Sequence, residues 1–307
     1  MGLGAGSIMV GANFNYQFID WRHGPVEDEN YAFHHLGTLS AVVISPSLTI
    51  GITDWWNISL SQVLGNRYMI WDADDVSKHH RDEGSESNFD NAIGGYLGDT
   101  RIMLRYLALN AGKGPGPRLF VGGGLVAPSK NTLTSDPFFL GEEDIVVDHR
   151  HFSMSEGLHK AVFETQFFIK RIRNPVFYGG TFIIEEPLWE NDHGFKGSRL
   201  IDLSFTASTN QIKPLRTSFS GTLMVRRTGK AYWNGEVAPN SESTLLIPGV
   251  GMSWNMKFAA IMLNIQKPIF LQGSVSGGAY LDEETDVWQI SMSMRKILDY
   301  YIPWLYW

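Results

Sequence analysis

The sequence predicts an all-β chain folded as one closed antiparallel barrel of about twelve strands, and three observations carry that prediction. Apolar and polar residues alternate with a period of two over many stretches of about ten residues. The connections between those stretches alternate between short and long. Yet no stretch approaches the roughly 20 apolar residues of a membrane-crossing helix.

The first amphipathic stretch sets Ile8, Val10, Ala12, Phe14, Tyr16 and Phe18 against Ser7, Met9, Gly11, Asn13, Asn15 and Gln17. Successive side chains of a strand point to opposite faces, so one face is apolar and the other polar. Thr100, Ile102, Leu104, Tyr106 and Ala108 alternate in the same way with Arg101, Met103, Arg105 and Leu107. In a helix Arg101 and Arg105 would share a face with no apolar stripe sharply opposite. The pattern returns from Ala161 to Lys170, Ile201 to Ala207, Ser218 to Arg226 and Trp288 to Arg295.

Twelve strands result, at roughly 7–22, 38–52, 57–71, 97–109, 118–128, 159–173, 176–186, 199–209, 215–228, 242–254, 258–272 and 287–298. Five connections are short, near 53–56, 111–117, 174–175, 211–214 and 255–257. Six are long, near 23–37, 72–96, 129–158, 187–198, 229–241 and 273–286. An even strand count with tight turns at one end and long loops at the other is the layout of a bacterial outer-membrane barrel, with periplasmic turns and extracellular loops. In hydrocarbon every backbone amide needs an internal partner, so a sheet survives only when closed. Trp55, Trp56, Trp71, Tyr96, Tyr106, Trp189, Trp233 and Trp254 fall near strand ends, where they would form interfacial girdles. Pro46, Pro248 and Pro268 each remove a ladder donor within a strand and predict bulges or local openings.

Composition agrees with this reading. The 307 residues form one domain, with 19% charged and 13% aromatic residues and ten Trp. The absence of Cys excludes disulfides and thiolate metal sites, and a net charge of -7 argues against a nucleic-acid partner. No basic segment followed by an apolar core opens the chain, so the expectation is a mature sequence without its export signal.

"GITDWWNISLSQ", "YLGDTRIMLRYLAL" and "LFVGGGLVAPSK", within Gly51 to Lys130, combine a Gly-X-Thr-Asp turn, a Gly-Asp strand opening and a glycine-rich aliphatic strand ending in proline. This stretch resembles the outer-membrane transporter family of the phenol meta-pathway, with Ser129 and Lys130 standing where that family has Thr-Gly. The resemblance implies an outer-membrane channel for small, often aromatic or hydrophobic compounds.

Inward parity gathers Arg101, Arg105, Lys170, Arg216, Arg226 and Arg295 against Glu164, Glu185 and Asp202. Two readings stand open. The charges either pair into an internal network that stiffens the barrel, or form a cationic constriction that selects anionic solutes such as aromatic acids. All nine histidines fall in or beside long loops, where His79, His80, His149 and His151 lie near acidic runs, so that two readings stand open: candidate ligands for a divalent metal at the extracellular loops, or a solvated acidic loop surface with no cofactor.

Two other functions are open. His151-Phe152-Ser153 resembles the His-x-Ser pair of outer-membrane phospholipase A, in which imidazole activates the hydroxyl, although no Asn occurs from Phe152 to Arg173 to orient it. Phe138, Phe139, Trp189, Trp233 and Tyr280 are loop aromatics that would suit a surface-assembly barrel contacting a neighbouring protein. The expected partners are otherwise outer-membrane lipid, lipopolysaccharide and a small-molecule solute.

Overall fold

Alternation on the arginine-bearing strand sets the geometry of the whole wall. Ile102, Leu104 and Tyr106 are 48%, 42% and 39% exposed on the outer surface, while Met103 and Leu107 are buried on the inner one. Arg101 and Arg105 share the inner face with them. A computed structural model describes residues 2–23, 35–71, 88–112, 114–138, 149–239, 241–273 and 284–305.

Twelve strand positions form the wall, as the sequence predicts. They are β1 (Ser7–His23), β2 (His35–Gly51), β3 (Trp56–Trp71), β4 (Leu97–Asn110), β5 (Gly116–Ala127), β6 (Lys160–Lys170), β7 (Phe177–Pro187), β8 (Leu200–Ser208), β9 (Thr217–Thr228), β10 (Ser243–Asn255), β11 (Ala260–Gln266, resuming at Ile269–Gln272) and β12 (Glu284–Tyr301). Each pairs antiparallel with its sequence neighbour, and β12 pairs with β1 to close the barrel. Among the described residues the closed ladder leaves no long free edge, and exposed Leu, Ile, Val, Phe and Trp side chains cover its outside.

Short turns share one end with both Ser7 and Tyr301. Their local chemistry explains them: Thr53 Oγ1 accepts from the amides of Trp55 and Trp56 at 3.1 and 3.0 Å, and Asn110 Oδ1 accepts from Gly112 N at 2.9 Å. Gly112 there has a φ of 69°, a conformation that glycine adopts without strain.

Pro46 and Pro268 interrupt the wall as expected. The β2–β3 register skips from Ile44↔Leu64 to Ser47↔Ser61 around Pro46, and Pro268 divides β11. Pro248 does not break β10, whose register with β9 is continuous from Ser243 to Trp254. Its nitrogen lies on the same side as its carbonyl, which accepts from Lys267 N beside the β11 break, so the missing donor falls where the ladder is already open.

Some loop aromatics do not form the predicted girdle. Trp55, Trp56, Tyr96 and Tyr106 are exposed near strand ends, with the Trp56 and Tyr106 ring centroids 4.8 Å apart. Trp233 instead is buried, because Phe195–Lys196, Tyr232–Trp233 and Glu236–Val237 form a small sheet of their own beyond the long-loop end. Its core is Leu133, Ala231, Trp233 and Ala238, with Ala92 and Phe195 packed against it. Phe139 and Tyr280 lie outside the described residues.

Candidate functional site

Strand register builds the inner wall one row at a time. Asn57 faces Arg105, Arg105 faces Gly122, Gly122 faces Glu164, Glu164 faces Ile183, Ile183 faces Asp202, and Asp202 faces Arg226. Cross-strand partners share a face, so this row carries the charges from β3 to β9 along the lumen.

Each arginine of mid-wall holds a carboxylate. Arg105 Nε lies 2.7 Å from Glu164 Oε2, and its Nη1 donates to Ser59 Oγ at 2.8 Å. Arg226 grips Asp202 through two bonds, Nε to Oδ1 at 2.8 Å and Nη2 to Oδ2 at 2.7 Å. Arg101 pairs with Glu185 from three strands away, and Glu164 also accepts from Gln166. Bidentate and charge-assisted contacts of this kind fix geometry as well as charge.

The other three predicted lumen cations stand nearer the short-turn end. Lys170 is the last residue of β6 and is exposed. Arg216 precedes β9 in a turn, exposed and with a φ of 50°, so it belongs to the rim rather than to the wall. Its parity matched the inward set, but parity has no meaning once the chain leaves the strand. Arg295 faces Gly11 and Ala260 on the inner face of β12. Around it the wall of β10, β11, β12, β1 and β2 presents small neutral groups, among them Asn13, Ser47, Asn264, Ser291 and Ser293. The lumen thus has a paired-ion wall facing an amide and hydroxyl wall.

Both ends are narrowed by chain folded inward. At the short-turn end Leu3 is buried, its amide donating to Asn57 Oδ1 at 2.9 Å while Asn57 Nδ2 donates back to Leu3 O at 3.3 Å. At the long-loop end the β5–β6 connection enters the mouth. Phe152 packs against the buried cluster of Ile19, Met69 and Val287 from β1, β3 and β12, as do Leu39 of β2 and Phe270 of β11. That cluster lies on the inner wall of β1, β3 and β12, so the described part of the connection reaches inward into the opening.

This segment is fastened at several points. Arg150 N donates to Asn91 Oδ1 at 2.7 Å and Asn91 Nδ2 donates to Arg150 O at 2.8 Å, while the buried guanidinium lies 4.6 Å from the centre of the Phe89 ring. Asn131 Oδ1 accepts from Met154 N at 3.2 Å, and Arg67 Nη1 donates to Ser153 O at 3.1 Å. Beneath the small sheet Arg67, Ser153 and Met154, with their neighbours, line a partly open cavity of about 360 Å³. Leu133, Pro137, Phe138, Phe152, Met154, Phe195 and Trp233 supply its apolar wall. Arg67, Asp99, Glu156 and Lys160 supply two charges of each sign, with Lys160 Nζ 2.6 Å from Glu156 Oε2. Outside the cavity, in the loop before β8, the Glu186 carboxylate raises the Arg199 pKa above the ordinary arginine value through its hydrogen bond and charge.

His149 and His151 lie outside any strand with ring centroids 4.9 Å apart, His151 packs edge-on to Phe138 at 5.7 Å, and His79 and His80 lie outside the described residues. Among the described residues no group of three or more His, Cys, Asp or Glu is placed to hold a metal. The Ser153 hydroxyl donates to Ser155 O at 2.6 Å, so its proton is directed to a carbonyl and not to an imidazole.

Sequence reading passed over Arg67, Asn91, Asp99 and Arg150, which position the mouth. Arg67 was detectable as a cation inside an alternating strand; the others act through loop packing that leaves no periodic trace.

No family model and no curated protein sequence matches the chain. Among solved structures it is similar to an outer membrane channel from Pseudomonas putida F1, at 11% identity over 97% of both chains with a TM-score of 0.60. The translocator domain of the autotransporter NalP from Neisseria meningitidis gives 9% identity over 95% of this chain and 88% of that one, with a TM-score of 0.38. A deltaS2 mutant of the TodX monoaromatic hydrocarbon channel gives 7% identity over 95% and 89%, with a TM-score of 0.41. The chain therefore shares the overall barrel fold of the Pseudomonas putida channel, the fold that the resemblance over Gly51 to Lys130 implied.

Proposed function

We propose that this chain is a bacterial outer-membrane channel for small, largely apolar solutes, aromatic compounds among them. The observation that carries the reading is the cavity of about 360 Å³ at the long-loop mouth, walled in similar measure by apolar and polar side chains, above a lumen whose mid-wall arginines are all paired. A pocket of that size, in which aromatic and aliphatic side chains stand beside charged and hydroxyl-bearing ones, suits a single-ring molecule carrying a polar substituent. The closed ladder and apolar exterior suit insertion in a bilayer, and the similar Pseudomonas putida structure is an outer membrane channel. Selection of anions has less support, since Glu164, Glu185 and Asp202 neutralise the three guanidinium groups that would attract them.

Uptake of a labelled simple phenol by intact cells tests the reading. Expression of the chain should speed entry of the phenol while leaving a disaccharide unaffected. Equal phenol uptake with and without the chain would overturn it.

A further inference from the structure

Three hairpin turns at the short-turn end have a composition that neither the lumen nor the barrel fold requires. They are Arg171-Ile172-Arg173 between β6 and β7, Ile212-Lys213-Pro214-Leu215-Arg216 between β8 and β9, and Met256-Lys257-Phe258 between β10 and β11. These are successive turns along one sector of the rim. Each sets a cation beside an exposed apolar tip: Ile172 is 80% exposed, Leu215 61% and Phe258 56%. The three turns contain no Asp or Glu. Among the described residues none of their five cations forms an ion pair, in contrast to the arginines of mid-wall.

We infer that this sector of the rim binds the headgroups of anionic phospholipids in the leaflet at the short-turn end. Arg171 shows which way the sector faces. Its guanidinium carbon lies 5.7 Å from the centre of the Tyr178 ring, and Tyr178 belongs to the outward parity of β7, opposite Ile169. The cation is therefore directed to the lipid side of the wall and not to the lumen. An apolar tip flanked by cations is poorly matched to water alone, but at a bilayer surface the tip enters the acyl boundary while the cations meet phosphate. The sector continues the apolar lipid-facing surface of β6 to β11, in which Phe163, Phe167, Leu203, Phe205, Phe219 and Val250 are exposed. Five unpaired cations without a counter-charge complement an anionic headgroup rather than a zwitterionic one.

This inference rests on the proposed membrane location, and the test separates the two. The full chain is reconstituted in bilayers of phosphatidylethanolamine and phosphatidylglycerol, extracted in mild detergent, and its retained lipids are counted by native mass spectrometry. Phosphatidylglycerol should be retained in excess of its bulk share. The variant Arg171→Gln, Arg173→Gln, Lys213→Gln, Lys257→Gln should lose about tenfold of that preference, whereas Lys196→Gln in the small sheet at the opposite end should keep it. Should the fourfold variant fail to fold, the Arg171/Arg173 and Lys213/Lys257 pairs are changed separately, each with a partial loss expected. Retention at the bulk ratio by the unmodified chain, or an unchanged excess in the folded variants, overturns the lipid site and leaves an acidic soluble partner as the occupant to seek. Failure of the unmodified chain to enter bilayers overturns the membrane location itself.

Discussion

Arg105 and Glu164 meet across a strand that belongs to neither of them. Gly122 of β5 lies opposite both, and the Arg105 side chain crosses over it to bring Nε within 2.7 Å of Glu164 Oε2. A Cβ at Gly122 would stand 3.0 Å from Arg105 Cγ and 3.0 Å from Leu104 O, so the glycine is what lets the pair span three strands. The glycine-rich run of β5 serves the charges of its neighbours.

That arrangement predicts a strongly non-additive mutant cycle. Arg105→Ala leaves the Glu164 carboxylate, 7% exposed, without its cation. Removing one partner of a buried pair costs about 3–5 kcal/mol, and a value at the lower end is expected because Arg105 is partly open to the lumen. Adding Glu164→Gln should recover most of the loss. Urea unfolding in detergent or lipid reads both, and equal destabilisation by the single and double variants would contradict the coupling.

Selectivity follows the same pairs. Arg101→Ala with Arg105→Ala removes two cations and exposes Glu185 and Glu164, so reversal potentials in a salt gradient should move toward cation preference. Arg105→Gln with Glu164→Gln removes one charge of each sign and should leave the reversal potential in place. A shift of the same size in both variants would show that Arg105 attracts anions independently of its partner.

Gly124 gives a steric test on the next inward position of β5. Its Cβ would lie 2.2 Å from Ile102 O and 2.4 Å from Met103 Sδ, which no side-chain rotation alone relieves because Ile102 O is backbone. Gly124→Val should destabilise the barrel by about 1–3 kcal/mol or more through forced displacement of β4. Heat-modifiable gel mobility reports the folded fraction; a normal yield of the heat-modifiable form would mean that β4 and β5 yield more readily than the ladder implies.

The wall was legible in the sequence because its physics is periodic. Alternation placed Arg101, Arg105, Glu164, Asp202 and Arg226 on one face, and loop lengths separated the two ends. Which carboxylate each arginine holds depends on register across strands distant in sequence, as in Arg101 with Glu185, and no local pattern encodes that. Arg216 was misplaced for the opposite reason, since its parity was followed past the point where β9 begins at Thr217. The mouth was the least legible part. Asn91 reaches Arg150 and Phe152 reaches the cluster of Ile19, Met69 and Val287 through irregular chain, where side-chain packing and single amide bonds replace periodicity.

Asn91 carries a prediction of its own. It closes two hydrogen bonds on the backbone of Arg150, at 2.7 and 2.8 Å, in buried surroundings. Asn91→Ala removes both and leaves a buried amide and carbonyl unsatisfied, a local cost of about 1–3 kcal/mol for each group. Hydrogen exchange should accelerate from Arg150 to Ser155 while the amides of β5 and β6 keep their protection. Uniform acceleration across the barrel would instead make Asn91 a determinant of global stability.

Among the described residues, Phe152 is the apolar anchor of the segment that enters the mouth. It is supplied by the connection between β5 and β6, and it packs against the cluster of Ile19, Met69 and Val287. Its ring therefore ties the segment to the cluster on the inner wall by apolar contact, whereas the polar fastenings at Asn91, Asn131 and Arg67 hold other points of the same segment. Phe152→Ala removes that tie and leaves a cavity among inward-facing apolar residues, without touching a ladder hydrogen bond. The barrel should stay folded while single-channel conductance in planar bilayers rises. Phe152→Leu, which retains an apolar contact, should fall between the alanine variant and the unmodified chain. Unchanged conductance in the alanine variant, with the barrel folded, would mean that the narrowest passage lies at the Leu3 end, and Asn57→Ala, which releases the two bonds to Leu3, becomes the variant in which conductance must rise.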